Sequence, residues 1–304
     1  MERDSVEKVK FVCLVIATML LCPYILRATE TNNLPPDAVE VSGEGIYYLE
    51  GKDNLEGARL MAVEIAKSNA IASAFGTAVN SSNYSQAYES TAGDYFNSFY
   101  SLMSSIQTGI WIKDLEVPEV TSFMDGESSF GFKARVRGIV RPLTSIPIET
   151  KGRLLVSKGT DRDHNYETSV LKRGDEFYFG FKAAANGFLA VYVVDEDDMV
   201  CKAAPIGKDD ASLKWIKAEK ETILWDNYLK NIAELSHPES REAYNRIVFV
   251  FSPNEFTLPL SEDADPSTGM PMIMDFEKFY TWLQDMAVAD PRFTVTWQTI
   301  IIKR

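Results

Sequence analysis

The sequence predicts an α+β protein of two domains, an N-terminal helix-on-antiparallel-sheet domain and a C-terminal β-rich domain that carries a late helix. Three observations predict it. Apolar residues recur at helical spacing over 58–75 and again over 276–287. Between these blocks they alternate with charged residues, or run uninterrupted for a strand's length, as in 130–140 and 247–251. A proline-bearing stretch, 142–150, separates a first half with two helices from a second dominated by strands.

Taken in order, residues 29–37 with Pro35-Pro36 form a polar tether, and the N-terminal domain follows over 38–141. Val39 to Leu49 reads as extended, interrupted by Gly43 and Gly45. A helix comes next. Asp53 with Glu56 makes a capping-box-like start, Ala58, Met61, Ala62, Ile65, Ala72 and Phe75 share one face, and Gly76 ends it. The many alanines on that face allow close approach to a sheet. Asn80 to Gln86 is a polar loop; Asn80-Ser81-Ser82 and Asn83-Tyr84-Ser85 within it match the N-glycosylation pattern but read as loop. Tyr95, Phe96, Phe99, Tyr100, Met103 and Ile106 predict a second helix with an aromatic face. Trp111 to Val117 and Phe130 to Val140 are strands; the second alternates with Lys133, Arg135 and Arg137 in the manner of a half-buried antiparallel strand.

The C-terminal domain, 151–304, begins after the 142–150 linker. Its predicted strands are Glu167 to Leu171, Glu176 to Ala183, Phe188 to Val194, Met199 to Ala203 and Ile247 to Phe251, with Asp195-Glu196-Asp197-Asp198 as a tight solvated turn. Asp275 is placed to cap a helix, and Met274 and Phe279 to staple it. Phe276, Phe279, Tyr280, Leu283, Met286 and Ala287 line its apolar face, each large one worth roughly 1.5–3 kcal/mol when buried. Asp290-Pro291 stops the helix, and Phe293, Val295, Trp297, Thr299 and Ile301 alternate along a final strand.

The N-terminus predicts export. Arg3, Lys8 and Lys10 precede an apolar run from Phe11 to Leu26. That run suits a signal peptide over 1–28 and falls short of the ~20 residues that span a bilayer as a helix. Ala28 is the cleavage point this pattern predicts; an uncleaved anchor is the alternative. A lipoprotein reading at Cys22 lacks the small residue before the cysteine. Formal charge is −13, and removing 1–28 takes away four basic and three acidic residues and leaves −14. Such a surface repels phosphate backbones and anionic lipid, which excludes nucleic acid as the expected partner. No later segment is apolar enough to span a membrane. Cys201 is the single cysteine after residue 28, so no internal disulfide is predicted, which fits a bacterial envelope better than a eukaryotic secretory route.

Residues that carry chemistry are few. His164 and His237 are the two histidines, and neither belongs to a zinc-hydrolase or serine-hydrolase pattern. Cys201 could pair with a histidine as a thiol nucleophile, but it reads as a small side chain on a hairpin strand. Gly43-Glu44-Gly45 starts like a phosphate loop, yet Tyr48 stands where a third glycine belongs. The Asp195–Asp198 run and Glu262-Asp263-Ala264-Asp265 offer oxygen ligands for Ca²⁺ without EF-hand spacing, and read as solvated turns. Trp215, Trp225 and Trp282 could stack on a sugar; core packing is the competing reading. No catalytic residue, cofactor-binding residue or metal ligand is therefore assigned.

Two resemblances can be stated on these residues. Val39-Glu40-Val41-Ser42-Gly43-Glu44-Gly45, the alanine-rich helix ending at Gly76 and the strand Phe130 to Val140 resemble the N-terminal domain of flagellar assembly protein T and related small envelope lipoproteins, over about 38–141. Gly187 to Asp195 with Pro205, Arg246 to Ser252, and Trp282-Leu283 through Asp290-Pro291 to Lys303 resemble a bacterial domain-of-unknown-function family. These are fold positions. The resemblance implies a β-rich accessory domain and carries over no catalytic residue. The expectation is a non-catalytic exported envelope protein, periplasmic or associated with the outer membrane, that binds an envelope protein or a cell-wall component. The alternatives are a glycan- or peptidoglycan-binding module and a carboxylate-based hydrolase.

Overall fold

The computed structural model describes residues 34–49, 55–76, 99, 102–106, 108–126, 129–146, 148–157, 165–205, 213–224, 231–235, 237–259 and 273–304. The chain divides into two units, Met1–Pro36 and Asp37–Arg304, and every described helix and strand belongs to the second. The predicted signal peptide, His164, Trp225, the Asp53 cap, the 80–86 loop, the start of the predicted second helix at Tyr95 and Phe96, and the acidic run at 262–265 lie outside the described residues.

The architecture is α+β, as predicted. Strands β1 (Val39–Tyr48), β2 (Gly109–Asp114), β3 (Glu119–Asp125) and β4 (Ser129–Pro142) form a four-stranded antiparallel sheet. Within it β4 pairs with β1 on one side and with β2 and β3 on the other. Helix α1 (Leu55–Phe75) lies across β1 and β4. Its contact face is alanine: Ala58, Ala62, Ala66 and Ala70 are all buried. Gly43 and Gly45 on β1 complete the close approach, because a Cβ at either would meet the helix backbone at Ala66. Gly76 takes φ +82°, and its N–H donates to Ala72, so the predicted C-terminal stop is as read.

A second sheet of seven strands holds β7 (Val170–Lys172), β9 (Gly187–Val194), β10 (Met199–Ala204), β11 (Lys214–Ile216), β14 (Glu242–Ser252), β15 (Ile273–Asp275) and β16 (Thr294–Lys303). A third, of five, holds β5 (Thr150–Ser157), β6 (Asn165–Glu167), β8 (Glu176–Ala183), β12 (Thr222–Leu224) and β13 (Asn231–Ile232). The sequence reading does not place β3, β5, β11, β12, β13 or β15, and its single strand Glu167 to Leu171 is in fact the end of β6 and the start of β7, which belong to different sheets. β11, β12, β13 and β15 have two or three residues each, too few for a period to show, and β3 is largely exposed.

The central strand β14 explains how the sheets stack. Alternate residues Ile247, Phe249 and Phe251 face a core shared with Phe179 and Phe181 of β8, whereas Val248 and Val250 face the core that takes in helix α2 (Phe276–Ala289). Both faces are covered, so β14 reads as an unbroken apolar run instead of an alternating one. The α2-side core continues without a break into the first half, through Phe99, Leu102, Met103, Tyr47, Phe132 and the α1 alanines. The Phe99 ring lies 5.3 Å from Phe276 and 6.2 Å from Trp297, and the buried hydroxyls of Ser105 and Tyr280 meet at 2.9 Å. The predicted linker connects β4 to β5, and within it Ile146 N–H donates to the Pro291 carbonyl. The expectation that few contacts would cross 142–150 gives way to one apolar core running through both halves. Among the described residues, no helix is long and apolar enough to cross a membrane.

Candidate functional site: an acidic cleft between the halves

Four segments meet around a cleft of about 330 Å³. β1 contributes Tyr47, the first turns of α1 contribute Gly57, Ala58 and Met61, and the β9–β10 turn contributes Asp197, Asp198 and Met199. The start of α2 adds Asp275, Phe276 and Glu277.

The local chemistry of the turn sets its shape. The Asp195 carboxylate accepts from the backbone N–H groups of Asp197 and Met199, and Asp198 sits at φ 55°, a conformation that Asp tolerates better than most residues. The turn is half-buried and does not project into solvent as predicted, because the Phe276 N–H donates to the Asp198 carbonyl and Met199 pairs in register with Asp275. Asp275 does stand at the cap position of α2, yet its carboxylate makes no capping bond. It lies 3.7 Å from Lys278 and lines the cleft. Met274 and Phe279, the predicted staple, are both buried.

Asp198 is the hub. Its carboxylate accepts from the Tyr47 hydroxyl at 3.1 Å and lies 3.5 Å from the Arg246 guanidinium. Arg246 is 1 % exposed, and its guanidinium carbon lies 4.5 Å from the centroid of the Phe99 ring. One carboxylate thus ties the N-terminal sheet to a buried cation of the central strand. His237, one of the two histidines, lies 3.2 Å from Asp197 and 3.9 Å from Glu196.

The cleft lining is acidic, with Arg246, His237 and Lys278 beside three of its carboxylates. Burial pushes the Glu277 carboxyl above the usual range, with the charges of Glu64, Asp275 and Glu56 adding to the rise. Burial likewise raises Asp195 and Glu196, with neighbouring aspartates contributing. Four carboxylates line the cleft, and among the described residues no Lys, Arg or His lines it. Among the described residues no three His, Cys, Asp or Glu side chains are grouped to hold a metal ion. The walls of Met61, Met199, Tyr47 and Phe276 supply apolar surface beside the carboxylates. Such a lining suits a cationic head on an alkyl stem, a lysine or arginine side chain.

The remaining sequence candidates lie elsewhere. Cys201, on β10, has its thiol pushed up to about 11 chiefly by burial, so little thiolate forms near neutrality. Trp282 is half-buried against the core, packed on Tyr192, Phe279 and Phe293, and its indole N–H donates to the Thr257 carbonyl. Trp215 is 54 % exposed. Of the cleft residues, the sequence pattern singles out the 195–198 turn and the cap Asp275, but not their meeting with Tyr47, Met61 and Glu277. No spacing signals it, since residues 47, 61, 198 and 277 are brought together by tertiary packing alone.

Compared with protein-family models, with curated proteins and with solved structures, the chain matches none of them.

Proposed function

We propose that this chain is a non-catalytic, exported accessory protein of a bacterial envelope, and that its acidic cleft receives a basic segment of another envelope component. The observation that carries the reading is the cleft's charge: Asp197, Asp198, Asp275 and Glu277 line it, with no cation among the described lining residues. Partial compensation comes from outside the lining, through Lys278 and the buried Arg246. Burial is the larger cause of the raised Glu277 carboxyl, and the neighbouring charges of Glu64, Asp275 and Glu56 add a part that an incoming ammonium or guanidinium would offset. Export rests on the Phe11 to Leu26 run behind its basic start.

The experiment is crosslinking in intact cells followed by affinity purification, with the native chain and with a triple variant, Asp197→Asn, Asp275→Asn and Glu277→Gln. The native chain should recover a reproducible envelope partner, and the variant should lose most of it while folding normally. Undiminished capture by the variant would reject the cleft as the docking site. Turnover of a defined glycan or peptide by the purified protein, abolished by one carboxylate substitution, would reject the accessory reading altogether. Mass spectrometry of the native protein should find its first residue near Thr29.

A further inference from the structure

His237 is outside the cleft lining but touches one of the residues that form it. Its Nε2 lies 3.2 Å from the Asp197 carboxylate and 3.9 Å from Oε1 of Glu196. Asp197 is also one of the four carboxylates that line the cleft. A carboxylate only accepts, so the neutral imidazole bonds Asp197 with its proton on Nε2. A second proton, taken up at Nδ1, turns that neutral hydrogen bond into an ion pair. The Glu196 carboxylate accepts from the Tyr244 backbone N–H, yet its Oε1, the oxygen nearest His237, is buried without a hydrogen-bond partner. Burial raises the Glu196 carboxyl, and the charge of a protonated His237 works against that rise.

The other charged groups around the ring are engaged or turned to solvent. Arg246 is held by Asp198 and Lys278 by Asp275, and Asp195 accepts from the Asp197 and Met199 N–H groups. At the start of β14 the Tyr244 hydroxyl donates to Glu242, which lies 3.9 Å from Lys303. Glu239 and Arg241, on the segment that carries His237, are exposed. Among the described residues, Glu196 and Asp197 make no ion pair except with His237. The side chains of Glu196, Asp197 and His237 are 20, 16 and 34 % exposed, so water screens the three only in part.

We propose that His237 makes the cleft's hold on a basic segment depend on pH. The inference rests on the reading of the cleft as a site for such a segment. Neutral, His237 leaves the Asp197 charge to an incoming lysine or arginine. Protonated, it takes Asp197 and Glu196 as its own partners, and the segment is released. Histidine is the side chain whose ordinary titration falls between about pH 5 and 8, so the cleft holds at the upper end of that range and lets go at the lower. The imidazolium and the bound cation compete for one carboxylate, and the competition is reciprocal: a bound segment must lower the His237 midpoint by the factor by which protonation weakens the segment.

The test is calorimetric titration of the purified full chain with a lysine pentapeptide at about pH 7.5 and about pH 5.5, with the His237 imidazole midpoint followed by nuclear magnetic resonance. His164 is the other histidine, so the spectrum of His237→Gln assigns the signals. The native chain should bind more tightly at the higher pH, and its loss at the lower pH should exceed that of His237→Gln by about three- to fivefold. His237→Lys, a fixed cation at the same place, should bind weakly at both. Saturating peptide should lower the His237 midpoint by about half a unit, and Asp197→Asn should lower it in the absence of peptide. Equal pH dependence in the native chain and His237→Gln, or a His237 midpoint unmoved by saturating peptide, would overturn the inference and leave the reading of the cleft standing. No peptide binding at either pH would reject the reading of the cleft, and this inference with it.

Discussion

Replacing Gly45 by alanine should push helix α1 off its sheet. A Cβ there would lie 2.4 Å from the Ala66 nitrogen, 2.5 Å from the Ala62 oxygen and 2.9 Å from the Ile65 carbonyl carbon. All three neighbours are helix backbone, which cannot swing aside as a side chain would, and Ala62 and Ala66 are fully buried. Ordinary contact begins near 3.4 Å, so the helix must recede by about 1 Å or the strand must bend. Overpacking of a well-filled core costs roughly 1–3 kcal/mol, and with backbone on the receiving side the upper end, about 3 kcal/mol, is expected. For a domain of this size that lowers the thermal midpoint by about 6–12 °C. Gly180→Ala is the control, because its new Cβ would meet the ends of the Glu221 and Leu155 side chains at 3.1 and 3.2 Å, which can yield. Urea or thermal unfolding of both variants decides the matter. A loss under about 0.5 kcal/mol for Gly45→Ala, or equal losses for the two, would refute the close-approach argument. Because Tyr47, Ala58 and Met61 belong to the same strand–helix pair and line the cleft, the destabilised variant should also bind a basic peptide more weakly.

Three further outcomes are expected. Arg246→Met should destabilise by about 3–5 kcal/mol, since it takes the guanidinium away from both the Asp198 carboxylate and the Phe99 face; chemical denaturation measures it, and a neutral result would mean that packing alone holds the seam. Tyr47→Phe, which deletes the hydroxyl that donates to Asp198, should cost about 1 kcal/mol in the same assay. Stability should also depend on pH in a direction set by the cleft. Glu277, Asp195 and Glu196 have folded-state pKa values above their ordinary ones, so the native protein holds more protons than the unfolded chain between the two, and their contribution falls as pH rises through that interval. Asp290 runs the other way. Burial opposes its ionisation, but hydrogen bonds from Ser252, the Arg292 N–H and Asn254 hold its carboxyl low, and its contribution is lost as pH falls from the ordinary value through the folded one. Glu277→Gln should therefore narrow the stability difference between about pH 4 and about pH 7, and an unchanged difference would contradict the assignment.

Much of the fold was legible because it depends on local pattern. The helix face begun by Ala58, Met61, Ala62 and Ile65, Gly76 as a helix stop, the alternation of 130–140 and the apolar stripe of 276–287 each follow from residues within a few turns of one another, although the face continues through Ala66 and Ala70 and not through Ala72 and Phe75. Net charge, the cysteine count and the scarcity of histidine are properties of the chain itself and needed no structure. What the sequence could not supply was pairing and layering. A strand buried on both faces, such as β14, has the same apolar run whichever sheets cover it, so nothing local tells that Val248 belongs to one core and Phe249 to another. Two- and three-residue strands such as β11 and β15 exist only because a longer neighbour offers hydrogen bonds in register. The 142–150 stretch has the prolines of a linker, yet whether two halves share a core depends on surfaces that meet in space, here Phe99 with Phe276 and Trp297. The cleft is the extreme case: Tyr47, Asp198 and Glu277 become neighbours only after both halves have folded onto each other, because non-local contacts are fixed by packing and leave no period in the chain.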